Sequence, residues 1–170
     1  PDIVTYRALL RAGRHSAGMS QQAMEYLSQM WADGVTPDAS VYTAVIRCCV
    51  NDQRWYEALQ IYENMVTMRC VPTHQTYHAA LQACILGGAG THAAYLIDDM
   101  WHRGIRPNEG HYTSAIRTMA VEANAEVAVK LLEDMQQAGI APSAGTYEGV
   151  RLACEKAGTP DLAAHLPAAA

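Results

Sequence analysis

Apolar residues recur along this chain in paired stretches, each with the spacing of one helix face. After residue 39 the apolar positions are Val41, Val45, Ile46 and Cys49, and after a polar break they resume at Ala58, Leu59, Ile61, Tyr62 and Met65. Positions three and four apart lie on the same side of an α-helix. Each pair of stretches therefore predicts a hairpin of two helices.

The hairpin pattern returns every 35 residues. Three columns keep this period: Tyr42, Tyr77, Tyr112 and Tyr147; Met30, Met65, Met100 and Met135; and Pro37, Pro72, Pro107 and Pro142. Periods of about 20 to 50 residues are typical of repeat proteins, in which each unit buries its apolar face against its neighbours. We therefore predict an all-α solenoid of about 4.5 hairpins, with its function on a surface of equivalent positions.

The tyrosine column sets the boundaries of the repeats. It divides a single array over residues 1–170 into repeats 3–38, 39–73, 74–108 and 109–143 and a partial fifth repeat, 144–166. The first repeat is one residue longer, because Tyr6 and Tyr42 are 36 apart. We expect the surplus residue in the turn from Gly13 to Gly18, since turns tolerate insertions.

The joints carry residues that end one helix and start the next. After the second helix, glycines are expected to take a left-handed conformation at Gly34, Gly104 and Gly139. Arg69 replaces this glycine in the second repeat, which predicts a strained or differently closed cap. The last residue of each repeat is small and polar and can cap the next helix: Asp38, Thr73, Asn108 and Ser143.

Charge and cysteine content argue against several classes of function. The formal net charge of −5 argues against strong, unselective binding of nucleic acid, so any RNA contact must come from a local patch. The 5 cysteines include no CxxC pair, which favours reduced thiols in a helical core over disulfides or zinc. No apolar run suits a bilayer, so we expect a soluble chain without membrane contact. Because it opens at Pro1 without Met or a targeting segment, we expect a processed or excised portion of a longer protein.

Two sets of stretches carry a resemblance to a known family. The first-helix stretches read VTYRALLRAG, SVYTAVIRCC, QTYHAALQAC, GHYTSAIRTM and GTYEGVRLAC, and the second-helix stretches read AMEYLSQMWADGVTPD, ALQIYENMVTMRCVPT, AAYLIDDMWHRGIRPN and AVKLLEDMQQAGIAPS. Over essentially the whole chain they resemble the pentatricopeptide repeat family. Tetratricopeptide repeats have a period of about 34 residues and a different Trp and Gly signature. The step of 35 and the terminal proline favour the former.

This resemblance implies a right-handed superhelix in an organellar, mitochondrial protein. Its first helices would line a concave groove that holds single-stranded RNA, one base per repeat. The residue after each Tyr and the last residue of the repeat would together select the base. These pairs are Arg7 with Asp38, Thr43 with Thr73, His78 with Asn108 and Thr113 with Ser143, with Glu148 unpaired in the partial fifth repeat.

The match to the family pattern is partial. Thr43 and Thr113 fit the first selecting position and Asp38 and Asn108 the second, yet no repeat combines them in the usual way. The residue two before each Tyr, in the family a Val or Ile that sandwiches the base, is Val4 once and then Ser40, Gln75, Gly110 and Gly145. Because stacking contributes about 1 to 3 kcal/mol per base, we expect weak sequence-specific reading by this segment alone.

A column of arginines accompanies these positions. Arg11, Arg47 and Arg117 lie five residues after the Tyr, with Gln82 in the third repeat, on the helix face of the selecting residues. We predict that they contact RNA phosphates. The second helices, by contrast, carry the acidic residues Glu25, Glu57, Glu63, Asp98, Asp99, Glu126, Glu133 and Asp134. The alternative, that these arginines are solvated or pair with nearby acids, stays open.

The remaining candidates predict little chemistry. His74 and His78 are spaced as two ligands on one helix face, but no third ligand accompanies them, so we predict no metal site. Trp31 and Trp101 could anchor a partner protein, although packing between repeats suits their place after the periodic Met better. We find no nucleophile or phosphate-binding loop and predict neither catalysis nor a cofactor.

These observations favour a non-catalytic RNA-binding module of mitochondrial RNA metabolism. It would hold single-stranded RNA or exposed loops of ribosomal RNA in its groove. The alternative is a scaffold that docks protein subunits within a mitochondrial ribosome or an RNA processing or editing complex. A third possibility is the recognition domain of a larger RNA-processing enzyme.

Overall fold

The computed structural model describes residues 2–13, 18–164 and 166, with the backbone alone for 11–13. These residues form α-helices and one short 3-10 helix, and none of them lies in a strand. The helices are α1 (Ile3–Gly13), α2 (Ser20–Ala32), α3 (Ala39–Asn51), α4 (Trp55–Thr67), α5 (His74–Gly87), α6 (Gly90–His102), α7 (Glu109–Glu122), α8 (Ala125–Gln137), α9 (Ala144–Lys156) and the 3-10 helix η1 (Pro160–Ala163). The predicted all-α fold of helical hairpins is confirmed.

The helix bounds follow the 35-residue pattern. The first helices α1, α3, α5, α7 and α9 begin at residues 3, 39, 74, 109 and 144, the first residues of the predicted repeats. The surplus residue expected between Gly13 and Gly18 falls among residues 14–17, outside the described residues.

The chain divides into two compact halves, Pro1–Ala83 and Cys84–Ala170, with α5 contributing to both. In the N-terminal half, α3 packs against α1, α2 and α4. In the C-terminal half, α7 packs against α6, α8 and α9. Each first helix at the centre of a half therefore contacts both its own hairpin partner and neighbouring repeats.

The periodic tyrosines and methionines form the core. The buried residues are Tyr6, Tyr42, Tyr77, Tyr112 and the four periodic methionines, whereas Tyr147 is only half-buried and departs from the prediction of a core column. The buried rings keep a polar partner at the edge, as expected for tyrosine. The Tyr6 hydroxyl donates to Asp33 (2.9 Å), and the Tyr112 hydroxyl accepts from Trp101 Nε1 (3.1 Å). Trp101 thus links two repeats, in agreement with the prediction that it packs between repeats.

The cysteines lie where the composition indicated. Cys48, Cys49, Cys84 and Cys154 are buried, Cys70 is half-buried, and all are free thiols. Burial raises the pKa of Cys49 and of Cys84 to about 12. Both groups therefore stay protonated and unreactive at neutral pH.

All four joints after second helices close in the same way. Gly34, Gly104 and Gly139 have φ of 70°, 71° and 71°, and Arg69 has φ of 57°. The N–H of Val35 donates to the carbonyl of Met30 (2.8 Å), and that of Cys70 donates to Met65 (3.0 Å). Arg69 therefore takes the left-handed conformation of the glycines and carries the strain that they avoid.

Arg69→Gly is expected to raise the free energy of unfolding by about 1 kcal/mol. A side chain in the left-handed region costs roughly 1 to 2 kcal/mol, and the freedom of glycine in the unfolded chain offsets part of the gain. Urea unfolding measures the difference. The reciprocal Gly104→Arg, at an open position with the same backbone angle, should lower stability by a similar amount. Unchanged stability in both variants would contradict a strained cap.

Two carboxylates at the ends of first helices cap the second helix of the preceding repeat. Asp52 accepts from the N–H groups of Gly18 and Ser20, both at 2.7 Å. Glu122 accepts from the N–H of Gly90 (2.8 Å). A Cβ at Gly90 would lie 2.0 Å from Glu122 Oε2, so glycine makes room for this contact. Hydrogen bonds from Ser20 and Gly18 hold the pKa of Asp52 below its usual value.

Asp52→Ala is expected to destabilise the chain by about 1 kcal/mol at neutral pH, as loss of a helix cap does. Because the folded-state pKa is lowered, the contribution is complete above the ordinary Asp pKa of about 3.9. It is lost as the pH falls through the lower folded value. The free energies of unfolding of the unmodified chain and of Asp52→Ala should differ at pH 7 and become equal at acidic pH. Glu133→Ala, at an exposed carboxylate, is the control, and an equal effect there would contradict a specific cap.

Candidate functional site

The two predicted base-selecting positions of the second repeat are joined through a hydroxyl of the third. Thr76 Oγ1 lies 2.7 Å from Thr43 Oγ1 and 3.0 Å from Thr73 Oγ1. Thr76 is buried and precedes Tyr77 directly, so the core position of the tyrosine places it. The Thr43 hydroxyl also donates to the carbonyl of Ala39 (2.6 Å). Both selecting residues therefore meet at one hydroxyl cluster.

The fourth repeat builds the same cluster and adds a carboxylate. Thr146 Oγ1 lies 2.8 Å from Thr113 Oγ1 and 3.1 Å from Ser143 Oγ. Glu109 Oε1 accepts from Ser143 (2.6 Å), Thr113 (2.9 Å) and Thr146 (3.2 Å). These hydroxyls, Ser143 foremost, hold the pKa of Glu109 below its usual value. The cluster is thus charged at neutral pH.

The first repeat joins its selecting residues directly. Arg7 Nη2 donates to Asp38 Oδ2 in an ion pair. The other oxygen, Asp38 Oδ1, accepts from the N–H groups of Ser40 and Val41, both at 3.1 Å, and caps α3. Asp38 therefore serves the helix and Arg7 at once. Its carboxylate is already engaged on both oxygens.

The other selecting positions are exposed. His78 lies on the surface of α5 in the N-terminal half. Asn108, in the C-terminal half, caps α7 by accepting from the N–H of His111 (3.2 Å). Glu148 is exposed on α9. With Ser143 and Thr73, whose hydroxyls face the N–H groups of Thr146 (3.3 Å) and Thr76 (3.4 Å), the predicted capping role of the last residues is confirmed.

A groove of about 470 Å³ lies in the C-terminal half. It contains the selecting residues Thr113 and Glu148, the basic residues Arg117 and Lys156, and Gly145 at the sandwich position. Apolar surface completes its wall, from Ile85, Ala120, Val121 and Leu152. The groove therefore combines hydroxyl and carboxylate groups, two cations and an apolar surface.

The arginine column is partly available for contact. Arg117 is exposed and Arg47 half-buried, and within the described residues neither forms a salt bridge. The side chain of Arg11 lies outside the described residues. The second helices hold part of their acidic charge in local pairs, as in Arg54 with Glu57 (2.9 Å). Within the part of the chain that the structure describes, Arg47 and Arg117 are thus not paired with acids, and the alternative that these arginines are solvated stays open.

The sandwich positions offer little surface for stacking. Val4 is 63% exposed, and Ser40, Gln75 and Gly145 are exposed as well. Only Val4 among these brings an apolar side chain. The expectation that stacking platforms are largely missing stays consistent with these side chains.

Four residues of the hydroxyl clusters and the groove were not predicted from the sequence. Thr76 and Thr146 occupy the same column, directly before the Tyr, and that shared hydroxyl was the available signal. Glu109 lies four residues before Thr113, on the same helix face. Lys156 had no periodic signal, because its counterparts at intervals of 35 are Asn51, Leu86 and Val121.

Among the described residues, no three His, Cys, Asp or Glu side chains lie together as metal ligands would. Within the same residues, every helix is too short or too polar to cross a bilayer.

The fold and these columns define a helical-repeat protein with recurring polar positions on its first helices. Three family models match successive parts of the chain: the Pentatricopeptide repeat domain (residues 1–52), the PPR repeat family (residues 37–85) and the Pentacotripeptide-repeat region of PRORP (residues 87–168). The chain belongs to the pentatricopeptide repeat family.

Solved structures show the same fold. The pentatricopeptide repeat protein PPR10 from maize is 29% identical, with a TM-score of 0.71, over 96% of this chain and 23% of its own. The PPR domain of Arabidopsis thaliana protein-only RNase P 1, solved in complex with tRNA, is 15% identical, with a TM-score of 0.81, over 95% of this chain and 84% of its own. The chain thus spans about a quarter of the length of the maize protein.

Two further comparisons complete this result. PPR10 in complex with an 18-nt psaJ RNA element is 24% identical, with a TM-score of 0.73, over 98% of this chain and 24% of its own. Among curated protein sequences, none matches significantly.

Proposed function

We propose that the chain is a module that binds single-stranded RNA along its first helices. The observation that carries this proposal is the groove of the C-terminal half, where Thr113 and Glu148 lie beside Arg117 and Lys156. A base could contact the hydroxyl cluster while its phosphate contacts the two cations. Cations that contact the backbone of the strand are usual for proteins that bind single strands.

The solved relatives support this proposal. The maize protein was solved with an RNA element and the Arabidopsis PPR domain with tRNA. In this chain the equivalent first helices carry the hydroxyl clusters at Thr43 with Thr73 and at Thr113 with Ser143. Unpaired bases are read by hydrogen bonds and stacking rather than by shape alone, and hydroxyls can serve as donors or acceptors.

The charge distribution sets the expected strength of binding. A net charge of −5 leaves only local cations, chiefly Arg117, Lys156 and Arg47, to neutralise phosphates. For single strands the logarithm of the affinity falls with that of the salt concentration, with a slope of about −0.7 per neutralised phosphate. We therefore expect weak binding with a shallow dependence on salt.

A salt titration with labelled single-stranded RNA tests this proposal. Arg117→Ala should weaken binding and reduce the slope by about 0.7. Arg103→Ala is the matched control, because it removes the same charge from a residue paired with Asp99 at the end of α6. Equal effects of both changes would indicate a response to net charge rather than to the groove. Absence of RNA binding, with protein partners retained in a pull-down, would overturn the proposal in favour of a scaffold.

A second candidate is the RNA-recognition part of a larger RNA-processing enzyme. The family model of the PRORP repeat region, which matches residues 87–168, favours it. In this case the chain should bind precursor tRNA more tightly than unstructured RNA of equal length. Competition between these two RNAs distinguishes the candidates. For either, we expect a mitochondrial location, which imaging of the tagged full-length protein tests.

A further inference from the structure

The hydroxyl clusters of the second and fourth repeats differ by one carboxylate. Glu109 contacts both selecting residues of its repeat, Thr113 and Ser143, whereas Ala39 holds the equivalent place in the second repeat. We propose that Glu109 is a third base-selecting residue and makes the fourth repeat prefer guanine. This inference rests on the proposed binding of RNA.

The direction of the hydrogen bonds gives the first step. Each hydroxyl has one proton. Ser143 and Thr113 donate theirs to Glu109 Oε1, and the Thr146 hydroxyl lies within 3.2 Å of Thr113, Ser143 and Glu109 alike. All three protons are therefore used inside the cluster. Towards a ligand it presents only acceptors: hydroxyl lone pairs and the second carboxylate oxygen.

That second oxygen is available. Glu109 is half-buried, and all its side-chain hydrogen bonds within the described residues end on Oε1. Oε2 thus keeps its full capacity to accept. A carboxylate can accept two parallel N–H bonds when both donors lie side by side.

The hydroxyl cluster of the second repeat is not restricted to accepting hydrogen bonds. Thr43 donates to the carbonyl of Ala39, and Thr76 lies between Thr43 and Thr73. Thr73 is exposed, and its single proton can point to Thr76 or turn outwards to a ligand. This cluster is neutral and can donate as well as accept. It therefore serves as an internal reference for the fourth repeat.

The chemistry of the bases then identifies the ligand. Unpaired bases are read on their Watson–Crick edges. On that edge guanine has two adjacent donors, N1–H and the N2 amino group, whereas the other three bases place acceptors next to a single donor group. A charged site made only of acceptors matches the guanine edge and repels acceptor atoms.

A structural explanation of Glu109 makes a different prediction. Glu109 is the first residue of α7, where a carboxylate stabilises a helix through its dipole. If this were its whole role, its removal would change stability and leave the preference among bases as it was. Base preference is therefore the decisive readout, with the unfolding midpoint measured alongside.

The experiment selects bound RNAs from a random eight-nucleotide pool without guanine runs and sequences them. The unmodified chain should enrich guanine at one position. Glu109→Gln, which keeps an oxygen acceptor for the hydroxyls, should reduce this enrichment by about fivefold or more, as loss of a two-bond contact to a base does. Ala39→Glu should create a second guanine position with one nucleotide between the two, because one repeat separates the second from the fourth.

The outcomes separate the two proposals. Loss of guanine in Glu109→Gln and its gain in Ala39→Glu would support the inference. RNA binding with the same base profile in Glu109→Gln and the unmodified chain would overturn it and leave the proposed function intact. A folded chain that binds no RNA from the pool would overturn the proposed function, and the inference with it.

Discussion

Tyr112→Ala is expected to cost about 3 to 5 kcal/mol of folding free energy, as truncation of a large buried aromatic does. Tyr112 is 1% exposed and packs in the helix that contacts α6, α8 and α9. Its hydroxyl also accepts from Trp101 Nε1 (3.1 Å), a contact that joins adjacent repeats. The substitution leaves a cavity at this junction, and urea unfolding followed by circular dichroism measures the loss.

The same column supplies the control for this prediction. Tyr147 holds the equivalent place in the partial fifth repeat but is only half-buried. Tyr147→Ala should therefore cost clearly less, because less surface leaves water there on folding. Equal losses at the two positions would contradict the view that neighbours on both sides of a repeat create its core.

Gly145→Val is expected to raise the affinity for single-stranded RNA by about fivefold, the equivalent of roughly 1 kcal/mol, at the lower end of the stacking range. Gly145 lines the groove of the C-terminal half at the position where the family has an apolar sandwich residue. A Cβ there would meet only Ser143 Oγ, at the ordinary contact distance of 3.8 Å, and the position is exposed. Fluorescence anisotropy with a labelled oligonucleotide measures the change.

A neighbouring residue controls for added apolar surface. Ala144 is the exposed residue beside Gly145 and does not itself line the groove. Ala144→Val therefore adds apolar surface outside the groove. Its affinity for RNA should stay unchanged. If both variants bound RNA more tightly, the gain would reflect general stickiness rather than a platform for a base.

The elements of the fold could be predicted from the sequence because their causes are local. Apolar spacing within about 13 residues defines each helix, and Gly34 or Asp38 marks its end or start within a few positions. The prediction for Arg69 had two alternatives, and φ of 57° decides for a strained cap of the common type. Local rules state which backbone conformation a position requires. They do not show whether an unfavourable residue such as Arg69 adopts that conformation.

The site could be predicted only in part, because several of its contacts join residues more than 30 positions apart. The sequence placed the selecting residues in columns. The ion pair of Arg7 with Asp38, however, joins the two ends of one repeat, and the place of Thr146 between Thr113 and Ser143 depends on the next repeat. Glu109 had a visible neighbour at Thr113, but its bond to Ser143 needed coordinates. The base-selecting roles themselves stay predictions.

Thr76 and Thr146 belong to the repeat that follows the selecting residues they join. The residues that form one selecting cluster therefore extend past the boundary of their repeat into the next repeat. A graft cut at residue 143 would carry Thr113 and Ser143 to a new protein and leave Thr146 behind. A segment from the first residue of one first helix to the periodic tyrosine of the next, such as residues 109–147, would transfer Glu109, Thr113, Ser143 and Thr146 together.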